Sequence, residues 1–272
     1  MSVVVVAGAG IFGVTAALTL QRRGHRVVLC DPGPVPHPLA ESTDISKCIR
    51  IDYGADETYT ALMERALAGW RAWNEVWGET LFHETGVIFL AQERMQPGGF
   101  EHESHRVLTA RGHRLERLDE AAIQARFPAW NRGRERFLDG YFNPLGGFAE
   151  SGKVVARLVR DAVAEGVVLR QGAVVASLVE AGDGVSGVEL EGGERIDADV
   201  VVVAAGGWST RLLPELTPSF STVGLPVFHL RPADPTPYRA AVFPVFGADI
   251  SRTGWYGFPV NDAGIVKVAH HA

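Results

Sequence analysis

The chain has 272 residues, enough for one large domain or two modest ones, and its 46% hydrophobic content supports a sizeable core. Its formal net charge is −6, from 26 basic and 32 acidic side chains with no long basic run, which argues against nucleic acid as a partner. The two cysteines, Cys30 and Cys48, make neither a disulfide framework nor a zinc pattern, which suits a reducing cytoplasm and predicts no metal site.

The first elements carry the strongest pattern. A β-branched run at 3–6 leads into Gly8-x-Gly10-x-x-Gly13, then a small-residue helix, Gly24, and a second apolar run at 27–29 that ends on Asp31. This order of strand, glycine turn, helix and strand predicts a βαβ dinucleotide-binding unit. Gly8 permits the tight turn, Gly10 lets the backbone approach a pyrophosphate, and Gly13 lets the helix pack close on the strand. The helix N-terminus then offers free N–H groups and the positive end of its dipole. Asp31 lies 23 residues after Gly8, where an acidic side chain meets a ribose hydroxyl pair. The apolar stretch at 3–20 lacks the basic start of a secretion signal. No other stretch approaches the ~20 apolar residues of a membrane span, so no membrane partner is expected.

Asp31 is followed by a Pro-rich loop, PGPVPHP, and then by STDISKCIRIDYG. A helix is predicted at 57–77, where Leu62, Met63, Ala66, Leu67, Trp70, Trp73 and Trp77 recur at helical spacing. This tryptophan stripe reads as core packing. LFHETGVIFLA reads as a strand entering a second region, and residues 92–112 are polar and punctuated by Gly and Pro. LDEAAIQARFP reads as a short helix stopped by Pro128, and RERFLDGYFNPLGGF as a return strand and loop. Residues 153–164 put Val154, Val155, Leu158, Val159, Ala162 and Val163 on one helical face, ended by Gly166. A strand, a hairpin-like meander and a fully buried strand at 200–203 follow, ending in Ala205-Gly206-Gly207, a close-approach turn. A nicotinamide domain normally repeats its first βαβ. A long insertion, a returning helix, a meander and a Val-rich strand suit a flavoprotein better. The predicted fold class is α/β: a Rossmann-type FAD-binding domain at 1–80 and 148–212, with a second, mostly antiparallel β-sheet substrate domain at 81–147 and 213–272.

With these segments in place, the sequence resembles the D-amino acid oxidase and glycine oxidase superfamily of FAD-dependent oxidoreductases. Within it, the chain is most similar to the monomeric sarcosine oxidase and fructosyl amino acid oxidase branch. The resemblance runs through GAGIFG, STDISKCIRIDYG, ETGVIFLA, GGFAESGKVV, VVVAAGGWSTRLLPEL and GWYGFPVNDAGIVKVAHHA. GAGIFG alone is not branch-specific; the second and last segments are much more so. The resemblance implies that Gly8, Gly10, Gly13 and Asp31 hold the ADP half of FAD. It adds Ile11, Phe12, Val174, Ala205, Gly206 and Trp208 to the cofactor site, and places Ser42, Thr43 and Lys47 beside the isoalloxazine ring. It implies that Arg50 binds the substrate carboxylate and that Lys267 sits over the flavin and promotes its reaction with oxygen. His271 resembles a substrate-pocket histidine.

The chemistry of these residue types agrees. Oxidation of a C–N bond delivers a hydride to the flavin, and the cofactor carries that step. Arginine binds a carboxylate through its bidentate fork. A fixed positive charge lowers the barrier to oxygen reduction. By residue type alone, Arg50 could also be a surface or phosphate-side cation, and a lysine near a chain end is usually solvated. Terminal histidines such as His270 and His271 can be disordered. Cys48 reads as a small buried hydrophobe rather than a nucleophile or flavin attachment point.

Members of the resembled family continue past the point where this sequence stops. Their additional part returns to the FAD domain, completes the substrate site and, in the sarcosine oxidase branch, bears the cysteine bonded to the flavin. A truncated chain, weak FAD retention and self-association through the surface left open are therefore expected. The implied function is cytoplasmic, FAD-dependent oxidation of the C–N bond of an amino acid or N-substituted amino acid, with reoxidation by oxygen giving hydrogen peroxide. Two alternatives stay open: a flavin dehydrogenase using another acceptor, and a non-catalytic nucleotide-binding remnant.

Overall fold

Val3–Ala7 is the strand on which the first unit is built. In this computed structural model, which describes residues 1–131 and 136–271, it is flanked on both sides by parallel partners. The sheet order is Val200–Val203, Val3–Ala7, Arg26–Asp31, Val168–Gln171, with every pairing parallel. Val4, Val5 and Val6 are wholly buried, each worth about 1.5–3 kcal/mol against exposure. The helix Ile11–Arg22 crosses between the first two strands of the chain, as parallel pairing requires. The helix Ser151–Ala164 buries Val154, Val155, Leu158, Val159 and Ala162, the face expected from its periodicity, and leaves Val163 exposed. An antiparallel meander, Val175–Ala181, Gly184–Leu190 and Arg195–Asp197, completes this unit.

The strand Val200–Val203 forms, but it is not fully buried. It lies at the edge of the sheet; Val200 is 46% exposed and the other three valines are half-buried. Four consecutive valines record β propensity and a parallel neighbour, whereas burial depends on what covers the outer side.

In the second unit a seven-stranded sheet runs Val227–Leu230, Val266–His270, Trp255–Phe258, Val245–Ala248, Val87–Ala91, Asp139–Asn143, Glu116–Asp119. All neighbours are antiparallel except Val245–Ala248 with Val87–Ala91. Val87–Ala91 is buried on both faces, and its alternate residues enter different clusters. Ile88 and Leu90 join Phe127, Phe137, Phe243 and Phe246; Val87 and Phe89 join Tyr141, Val245 and Phe258. A small sheet of Lys47–Ile49, Gly147–Ala149 and Phe82–His83 stands beside it.

The chain divides into Met1–Ile45 with Glu150–Val223, and Ser46–Ala149 with Gly224–Ala272. Residues 46–80, expected with the nucleotide-binding part, thus fall in the second unit, and 213–223 in the first. Lys47–Ile49 pairs with Gly147–Ala149, and Trp70 packs on Phe82, which ties 46–80 to the second unit. The predicted helix at 57–77 is observed as Glu57–Trp77, capped by Asp56 and ended by Gly78 at φ +60°. Its stripe is only partly core: Leu67 and Trp77 are buried, Leu62 is exposed, and the tryptophans pack largely on one another. The polar stretch 92–112 contains a helix, Phe100–Ala110, with Glu101, Ser104, Val107 and Leu108 buried. Two polar side chains on the buried face hide its hydrophobic period. The short helix Glu120–Arg126 ends before Pro128 as expected. The return strand at 134–148 is observed as Asp139–Asn143, and its first two residues lie outside the described ones.

Candidate active site

Glycine geometry explains the turn in the first unit. Gly8 has φ +105°, and a Cβ there would lie 2.4 Å from the Ala204 carbonyl oxygen. At Gly13 a Cβ would lie 1.8 Å from the Gly8 carbonyl oxygen, so only glycine allows the helix to sit this close to the strand. Gly10 differs: a Cβ there meets only the Ser42 hydroxyl, at 3.3 Å. Space is therefore kept clear in front of Gly10, at the start of a twelve-residue helix with no side-chain cap. The Ile11 N–H donates to Ser42 Oγ at 3.1 Å, while Phe12 is 85% exposed. Beside Ser42, the Thr43 hydroxyl oxygen is buried with no hydrogen-bond partner among the described residues.

Asp31 ends its strand nearly buried. Its carboxylate accepts the Ala9 N–H at 2.8 Å and the Gly33 N–H at 3.1 Å. Asp31 thus holds the glycine turn, and each oxygen keeps a further lone pair. The other expected cofactor positions are spread over the same unit. Val174 is half-buried and its carbonyl accepts the Glu191 N–H. Ala205 caps a short turn containing Gly206 at φ +54°, and the half-exposed Trp208 ring makes an edge contact with His37.

The second unit holds Lys47, Arg50 and Lys267. Lys47 opens the strand Lys47–Ile49 and Arg50 follows it directly. Lys267 is 1% exposed, in a strand otherwise made of apolar residues and His270. Alternation along that strand sends Val266 into the aromatic cluster and Lys267 to the opposite face. There its ammonium donates to the Ser46 carbonyl at 2.5 Å and sits 4.6 Å from the Phe258 ring centre. Arg50 lies over the Tyr53 ring at 4.2 Å and within 5.4 Å of the Phe100 ring. Its Nη1 nitrogen is buried with no hydrogen-bond partner among the described residues. The charges of Arg50 and Lys267 both act to lower the Cys48 thiol. Burial nevertheless pushes the Cys48 thiol up to about 12, so it stays protonated and acts as a small packed side chain. His271 is exposed, with its N–H donating to the Gly254 carbonyl.

One part of this region was not expected from the sequence. Asp52 is 0% exposed, and its two oxygens accept from Tyr141 Oη at 2.8 Å and Asn143 Nδ2 at 3.0 Å. Burial raises its pKa above the usual carboxylate value, against the hydrogen bonds from Tyr141 and Asn143 and the charge of Arg50. The only sequence signal was an acidic residue between Ile51 and Tyr53; its partners are 89 and 91 positions away.

No helix among the described residues is long and apolar enough to cross a membrane. The described residues also hold no group of three or more His, Cys, Asp or Glu placed to bind a metal ion.

Known proteins share the sequence pattern and the fold. The chain is 30% identical over 271 residues to N-methyl-L-tryptophan oxidase of Citrobacter koseri, covering 98% of this chain and 69% of that protein. It is 26% identical to the peroxisomal sarcosine oxidase of Mus musculus, covering 98% and 67%. Fructosyl amine:oxygen oxidoreductase (Amadoriase I) from Aspergillus fumigatus shares the fold, with a TM-score of 0.82 at 23% identity; the match spans 99% of this chain and 62% of that one. A match to the DAO family, described as FAD dependent oxidoreductase, runs over residues 3–270. The chain therefore belongs to the DAO family of FAD dependent oxidoreductases.

Proposed function

We propose that this protein oxidises the C–N bond of a small carboxylate-bearing amine, of the N-methylated or glycated amino acid kind, using FAD and passing the electrons to oxygen. The residues of the first unit fit the cofactor. Gly8 and Gly13 shape a turn that admits no side chain, the front of Gly10 is open, and the Thr43 hydroxyl is buried and unpartnered. Gly8, Gly10, Ile11, Phe12 and Gly13 would take the pyrophosphate, and Asp31 would take the ribose through its remaining lone pairs. Ser42, Thr43, Lys47, Val174, Ala205, Gly206 and Trp208 complete the assignment. When bound, FAD supplies the acceptor for the hydride leaving the C–N bond.

The protein's own groups do the rest. Arg50 anchors the carboxylate, and the buried, unpartnered Nη1 is the observation that carries this reading. An unsatisfied guanidinium nitrogen is costly, and a carboxylate would satisfy it. Tyr53 and Phe100 hold the guanidinium plane. Lys267 supplies a fixed, water-excluded charge that stabilises negative charge developing on oxygen. His271 is assigned a substrate-side role.

The test is anaerobic addition of sarcosine, N-methyl-L-tryptophan and a fructosyl amino acid to the flavin-loaded protein. At least one should bleach the flavin absorbance, and admission of air should restore it with release of hydrogen peroxide. No bleaching with any of them would sink the reading. The setting we infer is the cytoplasm, because Cys30 and Cys48 are both free. Self-association belongs to the same proposal. Val227–Leu230 is an edge strand whose four residues are all exposed, and such edges recruit a second chain. Light scattering should find a dimer; a monomer across the concentration range would remove this part.

A further inference from the structure

The segment after Lys47–Ile49 has no regular strand partner, yet Ile51 and Asp52 are both 0% exposed. Its position is set by side chains. The Gly54 N–H donates to Ser104 Oγ at 2.7 Å. The Tyr141 hydroxyl donates to Asp52 Oδ1 at 2.8 Å. On the other oxygen, the orientation of Asn143 is also decided. The Leu145 N–H donates to Asn143 Oδ1 at 3.0 Å, so the amide nitrogen faces Asp52. Both side chains hydrogen-bonded to this carboxylate face it as donors.

Arg50 is near enough to act on Asp52 electrostatically, yet both Asp52 oxygens are engaged elsewhere and Arg50 Nη1 is unpartnered. A half-buried cation next to a buried carboxylate would ordinarily close into an ion pair. Here the carboxylate offsets the charge of Arg50 without occupying that nitrogen.

We propose that Asp52 is a positioning residue: held off by Tyr141 and Asn143, its carboxylate compensates the half-buried charge of Arg50 while leaving Arg50 free to bind the carboxylate of a ligand. This rests on the reading of Arg50 as the carboxylate anchor. It assigns Tyr141 a restraining role, because without its hydroxyl Asp52 Oδ1 loses a donor and turns to the nearest cation. The internal ion pair then competes with the incoming anion.

The experiment measures acetate binding to the full chain in the presence of FAD, by titration calorimetry, with thermal unfolding as a check on folding. Arg50→Gln should abolish binding. Tyr141→Phe should weaken it about tenfold, the scale of one hydrogen bond to a charged group. The double variant Tyr141→Phe/Asp52→Asn should recover to within about threefold of the parent, because a neutral amide cannot compete as an anion. A merely structural role for the network predicts the opposite, since the second substitution would compound the first. Unaltered binding in Tyr141→Phe, or no recovery in the double variant, overturns the proposal. Unaltered binding in Arg50→Gln overturns the anchor reading itself, and the proposal with it. Should Tyr141→Phe not fold, Asn143→Ala takes its place: it removes the donor to Asp52 Oδ2 and should weaken binding in the same direction. Parent-like binding there also overturns the proposal.

Discussion

In the first unit, what matters is backbone and the absence of side chains: Gly8 at φ +105°, Gly13 pressed on the Gly8 carbonyl, and Asp31 accepting two main-chain N–H groups. In the second it is buried side chains from distant positions: Lys267 on the Ser46 carbonyl, and Asp52 between Tyr141 and Asn143. A backbone site is broken by adding atoms, because there is no room for them. A side-chain site is broken by removing a charge or a donor, because its buried partners are then left unsatisfied. The two units should therefore fail in different ways.

The largest effect is expected from Gly13→Val. The added Cβ overlaps the Gly8 carbonyl, so the first unit should lose roughly 3 kcal/mol, the upper end of the overpacking range, and its flavin. Gly10→Val separates fold from ligand. Its Cβ meets only the Ser42 hydroxyl, so the unfolding temperature without FAD should hold while flavin is lost on dialysis. Retention of the flavin bands in this variant would break the comparison at its first half.

Lys267→Met tests the second half. The substitution keeps length and removes the buried charge together with its hydrogen bond to the Ser46 carbonyl. Substrate should still bleach the flavin without oxygen, while reoxidation in air slows roughly 100-fold, the scale of one lost electrostatic stabiliser. Stopped-flow mixing with oxygenated buffer checks this, and parent-like reoxidation would leave Lys267 a structural role only.

Asp31→Ala is expected to be milder. It removes the acceptor for Ala9 and Gly33 N–H groups and a proposed ribose contact, about 1–3 kcal/mol in FAD affinity. Fluorescence titration with FAD measures it; affinity unchanged from the parent would displace the ribose contact from Asp31.

The smallest effect sharpens the contrast from outside both sites. Glu64 is held by Arg111 and His113 at the surface, and these partners lower its carboxyl to about 2. A depressed carboxyl contributes stability above its ordinary value of 4.5, and that contribution is lost as pH falls towards about 2. Glu64→Gln should therefore cost about 1 kcal/mol or less at neutral pH and progressively less below pH 4.5, with FAD and acetate binding unchanged. Thermal unfolding between pH 7 and about 3.5 measures the window. A constant penalty across it would mean that Glu64 acts through packing instead of charge.

What the sequence determined by itself was the part that depends on near neighbours. The glycine spacing, the β-branched run at 3–6 and Asp31 define the turn, because their partners lie within one βαβ unit. Period-3.6 apolar positions marked the helix Ser151–Ala164, and Asp56 and Gly78 bracket Glu57–Trp77. Arg50 and Lys267 entered through resemblance of their segments; composition alone favoured a solvated lysine. The tertiary structure decided what depends on register and cover. It put Val200–Val203 at an edge, although its sequence reads as interior. It made a helix of Phe100–Ala110 whose buried face includes Glu101 and Ser104, since Ser251 and Gly54 supply their partners. It buried Lys267 against Ser46, 221 positions away, and gave Asp52 two donors from a strand 89 and 91 positions away. Local pattern carries the free energy of neighbours along the chain. A buried charge is stable only through groups that the fold brings to it, and a single sequence does not record which those are.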